Sequence, residues 1–384
     1  MRQSTDRILT THVGSLPRSQ ALAEMLLKKD RGEAYDPAEY VRVISEAVTD
    51  VVAMQLELGI DIPSDGEQSK VSYSTYMMDR LTGFGGENER RVALDLKDYP
   101  KFREKMARMT GRQAFRRSSC IGPVAVKDLS SLHTDIANLV AAAKAAGAEE
   151  AFMNAASPGL VTAFQPNKYY KTHEDYVWAL AGAMKMEYRA IVEAGLLLQL
   201  DCPDLAMAAH IAFQELSEAD FLKRAALHVE AMNAALEGID AGRVRMHICW
   251  GNYEGPHDHD IAVDKLFGVV AKAKPQAILF EAANVRHEHE WTAWRDAKLP
   301  DDKILVPGMI DTSSNYVEHP ELVAQRIERW AGIVGRERLI AGTDCGFGTF
   351  AGYGKLDGRI AYKKLGALAE GATIASKRLW ARAA

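Results

Sequence analysis

Val244-Arg245-Met246-His247-Ile248-Cys249 reads as a β-strand that ends in groups able to bind a metal. His247 and Cys249 are two residues apart, so on a strand both side chains point to the same face. The pattern recurs outward along the chain. Ile60–Ser64 leads to Asp65-Gly66-Glu67, Leu196–Leu200 to Asp201, and Ala277–Phe280 to Glu281. Val306-Pro307-Gly308-Met309-Ile310 leads to Asp311, and Leu339–Thr343 to Asp344-Cys345. A single acid after a strand is often a helix N-cap; six polar strand ends together point to one shared site. In α/β barrels the C-terminal strand ends carry the active site.

The surrounding sequence fits that architecture. Strand-like runs occur at 8–14, 60–65, 119–126, 150–155, 196–201, 244–249, 277–282, 303–310 and 338–344. Stretches of helical period lie at 41–59, 132–147, 173–195, 217–237, 261–273 and 320–334. Alternation of this kind implies a parallel sheet with helical crossovers. The expected fold class is α/β, a (β/α)8 TIM barrel forming one domain over residues 1–384. Nine strand-like runs exceed the eight of a barrel, so one lies outside it; the pattern does not say which. Residues 68–116 are the longest stretch without clear alternation, and a helical insertion over or beside the barrel mouth is expected there.

Composition narrows the function. Among 384 residues the net charge is −5, with acids and bases interspersed, which argues against a nucleic-acid surface or a polybasic membrane face. The basic run over 90–117 (Arg90, Arg91, Lys97, Lys101, Arg103, Lys105, Arg108, Arg112, Arg116, Arg117) is broken by acids and reads as a solvated arm. The polar start, Met1-Arg2-Gln3-Ser4-Thr5-Asp6, shows no secretory signal, and no run of 18 apolar residues occurs. Cys120, Cys202, Cys249 and Cys345 are few and far apart, which suits a reducing cytoplasm. Neither GxGxxG nor a Walker A motif is present.

His247, Cys249, Glu281 and Cys345 offer an imidazole, a carboxylate and two thiolates, a donor set for tetrahedral zinc. Thiolates select against magnesium and calcium. Spread along the barrel rather than paired as C-x2-C, the set suits a catalytic site that admits a substrate atom, with Glu281, the hardest donor, yielding its place. A substrate thiol on zinc loses its proton near neutral pH and becomes a nucleophile. Gly255-Pro256-His257-Asp258-His259-Asp260 reads as a loop closing on substrate, with His257 or His259 as proton donor and Asp260 capping the next helix. His287-Glu288-His289-Glu290 reads as a solvated helix start, Cys202, Trp291 and Trp294 as packing residues, and Gly346-Phe347-Gly348 as a turn.

Thr11-His12-Val13-Gly14-Ser15-Leu16-Pro17, His247-Ile248-Cys249, Phe280-Glu281, Val306-Pro307-Gly308-Met309-Ile310-Asp311 and Thr343-Asp344-Cys345-Gly346 resemble, in order, the catalytic half of cobalamin-independent methionine synthase. That resemblance implies a (β/α)8 barrel with Zn2+ on His247, Cys249, Glu281 and Cys345. It implies Ser15, Glu67 and Asp201 against the amino-acid end of homocysteine, and Phe164 where the family stacks an aromatic on folate. The implied reaction is methyl transfer to a small thiol, homocysteine giving methionine. The full-length family member has two barrel-like halves, and this chain resembles only the second. This chain also has Asp311-Thr312-Ser313 in place of Asp-x-His, Asp201-Cys202-Pro203 in place of Asp-Glu-Pro, and phenylalanine in place of tryptophan at 164. His257, His259 and Asp311 are the remaining candidate catalytic residues. The partners implied are a thiol and a methyl or alkyl donor, either a folate or a corrinoid. The alternative reading is a thiol alkylation of the related epoxyalkane:coenzyme M transferase type, or a methyltransferase with a non-folate donor. A homo-oligomer, with 68–116 as its arm, is a further expectation.

Overall fold

The computed structural model describes residues 1–88, 91–110, 117–352 and 356–381; Arg90, Arg112 and Arg116 of the basic run lie outside the described residues. β1 (Leu9–Thr10) opens the chain, and β2 (Phe84–Gly85) and β3 (Ser119–Cys120) form a small antiparallel ribbon. β4 (Phe152–Ala156), β5 (Leu197–Asp201), β6 (Val244–His247), β7 (Ala277–Phe280), β8 (Ile304–Ile310) and β9 (Ile340–Thr343) follow, each parallel to the last, and β9 pairs back onto β1. The ring closes through residues 62–64. Ile62 bridges Thr11 and Ser64 bridges Phe152, both in parallel, and the Phe152 amide donates to the Pro63 carbonyl at 3.0 Å. The architecture is a (β/α)8 barrel. The ninth strand-like run, 119–126, is the one outside it. Its Ser119 and Cys120 pair with Gly85 and Phe84 of the insertion, and Val126 bridges Leu81 there.

Side-chain parity on the strands builds two cores. Inward-facing Leu9, Val13, Ile62, Phe152, Leu197, Leu279, Ile304, Val306 and Ile340 pack inside the barrel. Outward residues such as Leu198, Leu200, Met246, Ile278 and Phe280 pack against the helical ring. Below the mouth the barrel is plugged by a buried cation. Arg245 donates to Gln199 Oε1 at 2.9 Å, Thr11 Oγ1 at 3.0 Å and the His12 carbonyl at 2.6 Å, and lies 3.9 Å over the Phe152 ring. Continuing the inward parity past Arg245 brings His247 to the mouth, and past Leu279 brings Glu281 there.

The six helical stretches read from the sequence appear as Pro37–Glu57, Ser130–Ala146, His173–Glu193, Glu218–Ala235, Val263–Val270 and Pro320–Val334. The insertion carries the short helices Met77–Arg80, Leu94–Asp98 and Pro100–Thr110. Its base is anchored by buried Arg80, bonded to Asp135 at 2.6 Å and Glu187 at 2.7 Å. No helix among the described residues is long and apolar enough to cross a membrane.

Candidate active site

A cavity of about 800 Å³ opens at the C-terminal ends of the barrel strands, under the insertion. Its lining includes Ser15, Glu67, Asp201, His247, Cys249 and Cys345, together with Tyr73, Phe164 and Phe350. Strand parity brings Asp201 and His247 here, and the segments just past the strand ends bring Ser15, Glu67, Cys249 and Cys345.

One nitrogen of His247 and the sulfurs of Cys249 and Cys345 all lie within 4.8 Å of one another, the two sulfurs 3.8 Å apart. Both His247 ring nitrogens are buried without a hydrogen-bond partner. An unpaired buried polar group of this kind costs about 1–3 kcal/mol unless a ligand satisfies it. The neighbouring Cys345 thiol, together with burial, pushes the Cys249 thiol well above its usual range. Two thiolates side by side therefore need a cation between them, and the donor set fits zinc. Glu281 is not part of this cluster. Its Oε1 accepts from the Trp250 amide at 2.7 Å and its Oε2 from Asn284 Nδ2 at 2.8 Å, and burial pushes its carboxyl up.

The acids on the cavity floor are also held in a high-energy state. Burial pushes the Glu67 carboxyl up to about 7, with Asp201 adding to the effect. Glu67 Oε2 has no partner, and the residue sits at φ 54, a left-handed conformation uncommon outside glycine. Asp201, also raised by burial, accepts from Asn154 Nδ2 at 3.1 Å and Gln199 Nε2 at 3.0 Å. Ser15 is gripped from the β9 side. The Phe347 amide donates to its carbonyl at 2.7 Å, and a Cβ on Gly346 would overlap the Ser15 hydroxyl. The Gly346-Phe347-Gly348 segment is therefore a latch on the Ser15 loop as well as a turn. Phe164 meets Tyr73 edge-on at 5.5 Å, and Tyr73 meets Phe350 at 5.7 Å, giving the cavity an aromatic wall.

Other expected residues lie elsewhere. His257 stacks on Tyr253, with ring centroids 4.3 Å apart, and does not line the cavity. His259 is bonded to Asp98 of the insertion at 2.8 Å. Asp311 accepts from the Ser313 amide and hydroxyl, both at 2.8 Å, away from the cavity lining. Asp260 does not cap the following helix. Its Oδ2 meets His257 Nδ1 at 3.0 Å and His287 Nε2 at 3.1 Å. The 287–290 segment does open a helix, but only one side of it is solvated: His287 and Glu290 are buried and bonded to each other at 2.9 Å, while His289 is exposed. Arg91, Arg103 and Arg117 of the basic run line the cavity with Arg224. The reading missed this because a charge pattern does not reveal which way an arm folds.

A family model for the catalytic domain of cobalamin-independent synthases matches residues 8–93 and 113–354. This chain belongs to that family. It is 26% identical over 375 residues to a methionine synthase of Saccharolobus islandicus, covering 96% of this chain and 95% of that one. A methionine synthase of Sulfurisphaera tokodaii is 24% identical over 373 residues, covering 96% and 93%. The fold matches the B12-independent methionine synthase of Shewanella sp. W3-18-1, solved with selenomethionine, at TM-score 0.72 and 20% identity over 98% and 99% of the two chains.

Proposed function

We propose that this member of the family transfers a methyl group to the sulfur of homocysteine, giving methionine, with zinc held by His247, Cys249 and Cys345. The observation that carries the reading is His247, buried with neither ring nitrogen bonded beside two thiols 3.8 Å apart. When bound, zinc lowers the pKa of a coordinated thiol and keeps its sulfur nucleophilic.

The remaining work falls to the chain. Glu281, bonded to the Trp250 amide and Asn284, would offer zinc a fourth donor beside His247, Cys249 and Cys345. Glu67 and Asp201 hold the substrate ammonium. Glu67 Oε2 needs such a donor, and an ammonium removes the cost of ionising a buried acid. Ser15 takes the carboxylate end. The floor therefore favours an amino-acid thiol over coenzyme M, whose sulfonate the two acids repel. The family relatives named as methionine synthases support the same substrate, and Phe164 and Tyr73 offer the donor an aromatic wall.

Zinc content and zinc K-edge absorption test the proposal, with and without homocysteine. One zinc per chain with two sulfur ligands, gaining a third with homocysteine, is expected. A zinc shell indifferent to homocysteine would overturn the proposal.

A further inference from the structure

Behind the wall of the cavity that holds the sulfur cluster, four polar side chains that nothing above uses form a line ending at His173 in the lining. Ser157 Oγ donates to Asp204 Oδ1 at 2.7 Å, Asp204 Oδ2 meets His228 Nδ1 at 2.9 Å, and His228 Nε2 meets His173 Nε2 at 2.8 Å. Ser157, Asp204 and His228 are buried, while His173 lines the cavity. Among the described residues nothing bonds His173 Nδ1. We infer that this line is a proton relay, with His173 handing a proton to the leaving group of the alkyl donor. The inference rests on the alkyl-transfer reading above.

The hydrogen-bond roles follow from the end of the line. Ionised Asp204 can only accept, so His228 Nδ1 carries a proton. One proton then lies between the two Nε2 atoms, and its placement sets what His173 shows to the cavity. If His173 Nε2 donates, its Nδ1 is a bare acceptor. With one more proton in the pair, His228 donates from Nε2 and His173 Nδ1 bears hydrogen. In that state the positive charge rests on His228, beside Asp204. Burial, the charge of His228 and then Arg224 drive the His173 imidazole down to about 3, so it stays neutral at the cavity end. Other charged groups around it are Arg224, whose guanidinium lies 4.8 Å over Phe213, and Glu215, which faces Arg224.

The local structure is shaped around the line. Thr172 and Asp175 form a reciprocal capping box that fixes the helix beginning at His173. A Cβ on Gly159 would overlap Asp204 Oδ2 and His228 Nδ1, so only glycine leaves room for their contact.

Alkyl transfer supplies the demand. As the sulfur–carbon bond forms, the bond from carbon to the leaving group breaks and its electron pair departs on that group. The leaving group takes the proton from His173 Nδ1. The His228 Nε2 proton passes to His173 Nε2, and the relay, one proton poorer, recharges from solvent at the cavity mouth.

The test compares two alkylating probes on the zinc-loaded protein with homocysteine bound. 1,2-Epoxypropane leaves an alkoxide that must be protonated, whereas methyl iodide leaves an ion that needs no proton. His173→Gln should slow the epoxide reaction about 10²-fold or more and leave methylation by methyl iodide within about 2-fold of wild type. His228→Gln and Gly159→Ala should show the same selectivity without altering a group that lines the cavity. Equal losses with both probes, as a purely structural staple would give, overturn the relay, as does no loss with either. Wild-type zinc spectra that ignore homocysteine would sink the alkyl-transfer reading and the relay with it. Spectra that respond, combined with equal losses, sink the relay alone.

Discussion

Two groups of buried histidines flank the end of β6, and they are opposites. His247 has neither ring nitrogen bonded and faces two thiols. His257 and His287, ten and forty residues further along the chain, have every ring nitrogen engaged. His257 reaches Asp260 at 3.0 Å and the Tyr253 carbonyl at 3.0 Å, and His287 reaches Glu290 at 2.9 Å and Asp260 at 3.1 Å. The first group is open and needs a ligand to be satisfied. The second is closed at His257 and His287 and holds loops through their satisfied ring nitrogens, although Asp260 Oδ1 and both ring nitrogens of His210, 3.3 Å from it, are left unbonded. What marks the first group as the functional one is the pair of thiols whose sulfurs lie within 4.8 Å of the unbonded His247 nitrogen, a donor set the second group lacks.

The largest effect should come from damaging the open group. Cys345→Ser should lose more than the about 10–100-fold in zinc affinity that outer partners of a metal site command, read by chelator competition, with activity lost in parallel. Retention of zinc at wild-type affinity would break the contrast. Damage to the closed group should appear as stability instead. Asp260→Asn leaves buried His287 and His257 without their shared anion, and should cost about 3–5 kcal/mol in urea unfolding while zinc binding persists. The pH dependence has a definite sign. Although burial opposes it, Asp260 and Glu290 raise His287 from 6.5 to about 10, so its contribution is complete below 6.5 and is lost as pH climbs toward 10. Asp260, lowered from 3.8 to about 2 by His257 and His287 against burial, contributes above 3.8 and loses that contribution as pH falls through 2. The gap between wild type and variant should therefore shrink from pH 6.5 to 10.

Glu67 sharpens the contrast from the substrate side. Its folded value of about 7 lies above the ordinary 4.5, so its burial costs stability that is absent below pH 4.5 and grows as pH rises to about 7. At 1.36 kcal/mol per unit this is roughly 3 kcal/mol. Glu67→Gln should be more stable than wild type by up to that amount at pH 8 and equal to it at pH 4, measured by thermal unfolding. The same variant should bind homocysteine about 10-fold more weakly, from the lost charged hydrogen bond, with little change toward a thiol lacking the amine. A variant that gains neither stability nor discrimination would remove Glu67 from the open group.

How much of this was legible in the sequence depends on range. Strand parity is local, so Arg245-x-His247 and Leu279-x-Glu281 announce which side chains reach the mouth. The (β/α)8 barrel follows from the repeated strand ends. The stave at 62–64 and the ribbon at 119–120 look alike as sequence, because each is a short apolar run and only tertiary pairing separates them. The helix Gly358–Ala381 was not among the expected helical stretches, although its faces differ in polarity as much as those of Ser130–Ala146 and Glu218–Ala235, which were. The relay members Ser157, His173, Asp204 and His228 come from separate elements with no fixed spacing. The clue at hand was Gly159, which follows Ser157-Pro158. His257 and His259 carried the right chemistry for a proton donor, but the Asp260 network turns one away from the cavity and Asp98 holds the other.

Asp344 joins the two kinds of site. Next to Cys345 of the open cluster, its carboxylate is fully bonded. It accepts from the Ala282, Ala283 and Asn284 amides, each at 2.8 Å, and from Asn284 Nδ2 at 3.1 Å. Asn284 in turn donates to Glu281 Oε2 at 2.8 Å, so one acid fixes the loop that presents Glu281 relative to the strand that presents Cys345. Asp344→Asn keeps an oxygen for Ala282 and Ala283 but sets an NH2 group against the two Asn284 donors. The loop must shift while His247, Cys249 and Cys345 stay in place. Zinc affinity should fall about 10–100-fold, the usual cost of losing a partner just outside a metal shell, with two sulfur ligands still visible at the zinc edge. Loss of a sulfur ligand would mean that Asp344 shapes the cysteine pair itself. Unchanged affinity would mean that Glu281 takes no part in the resting shell and that the open group is complete with three residues.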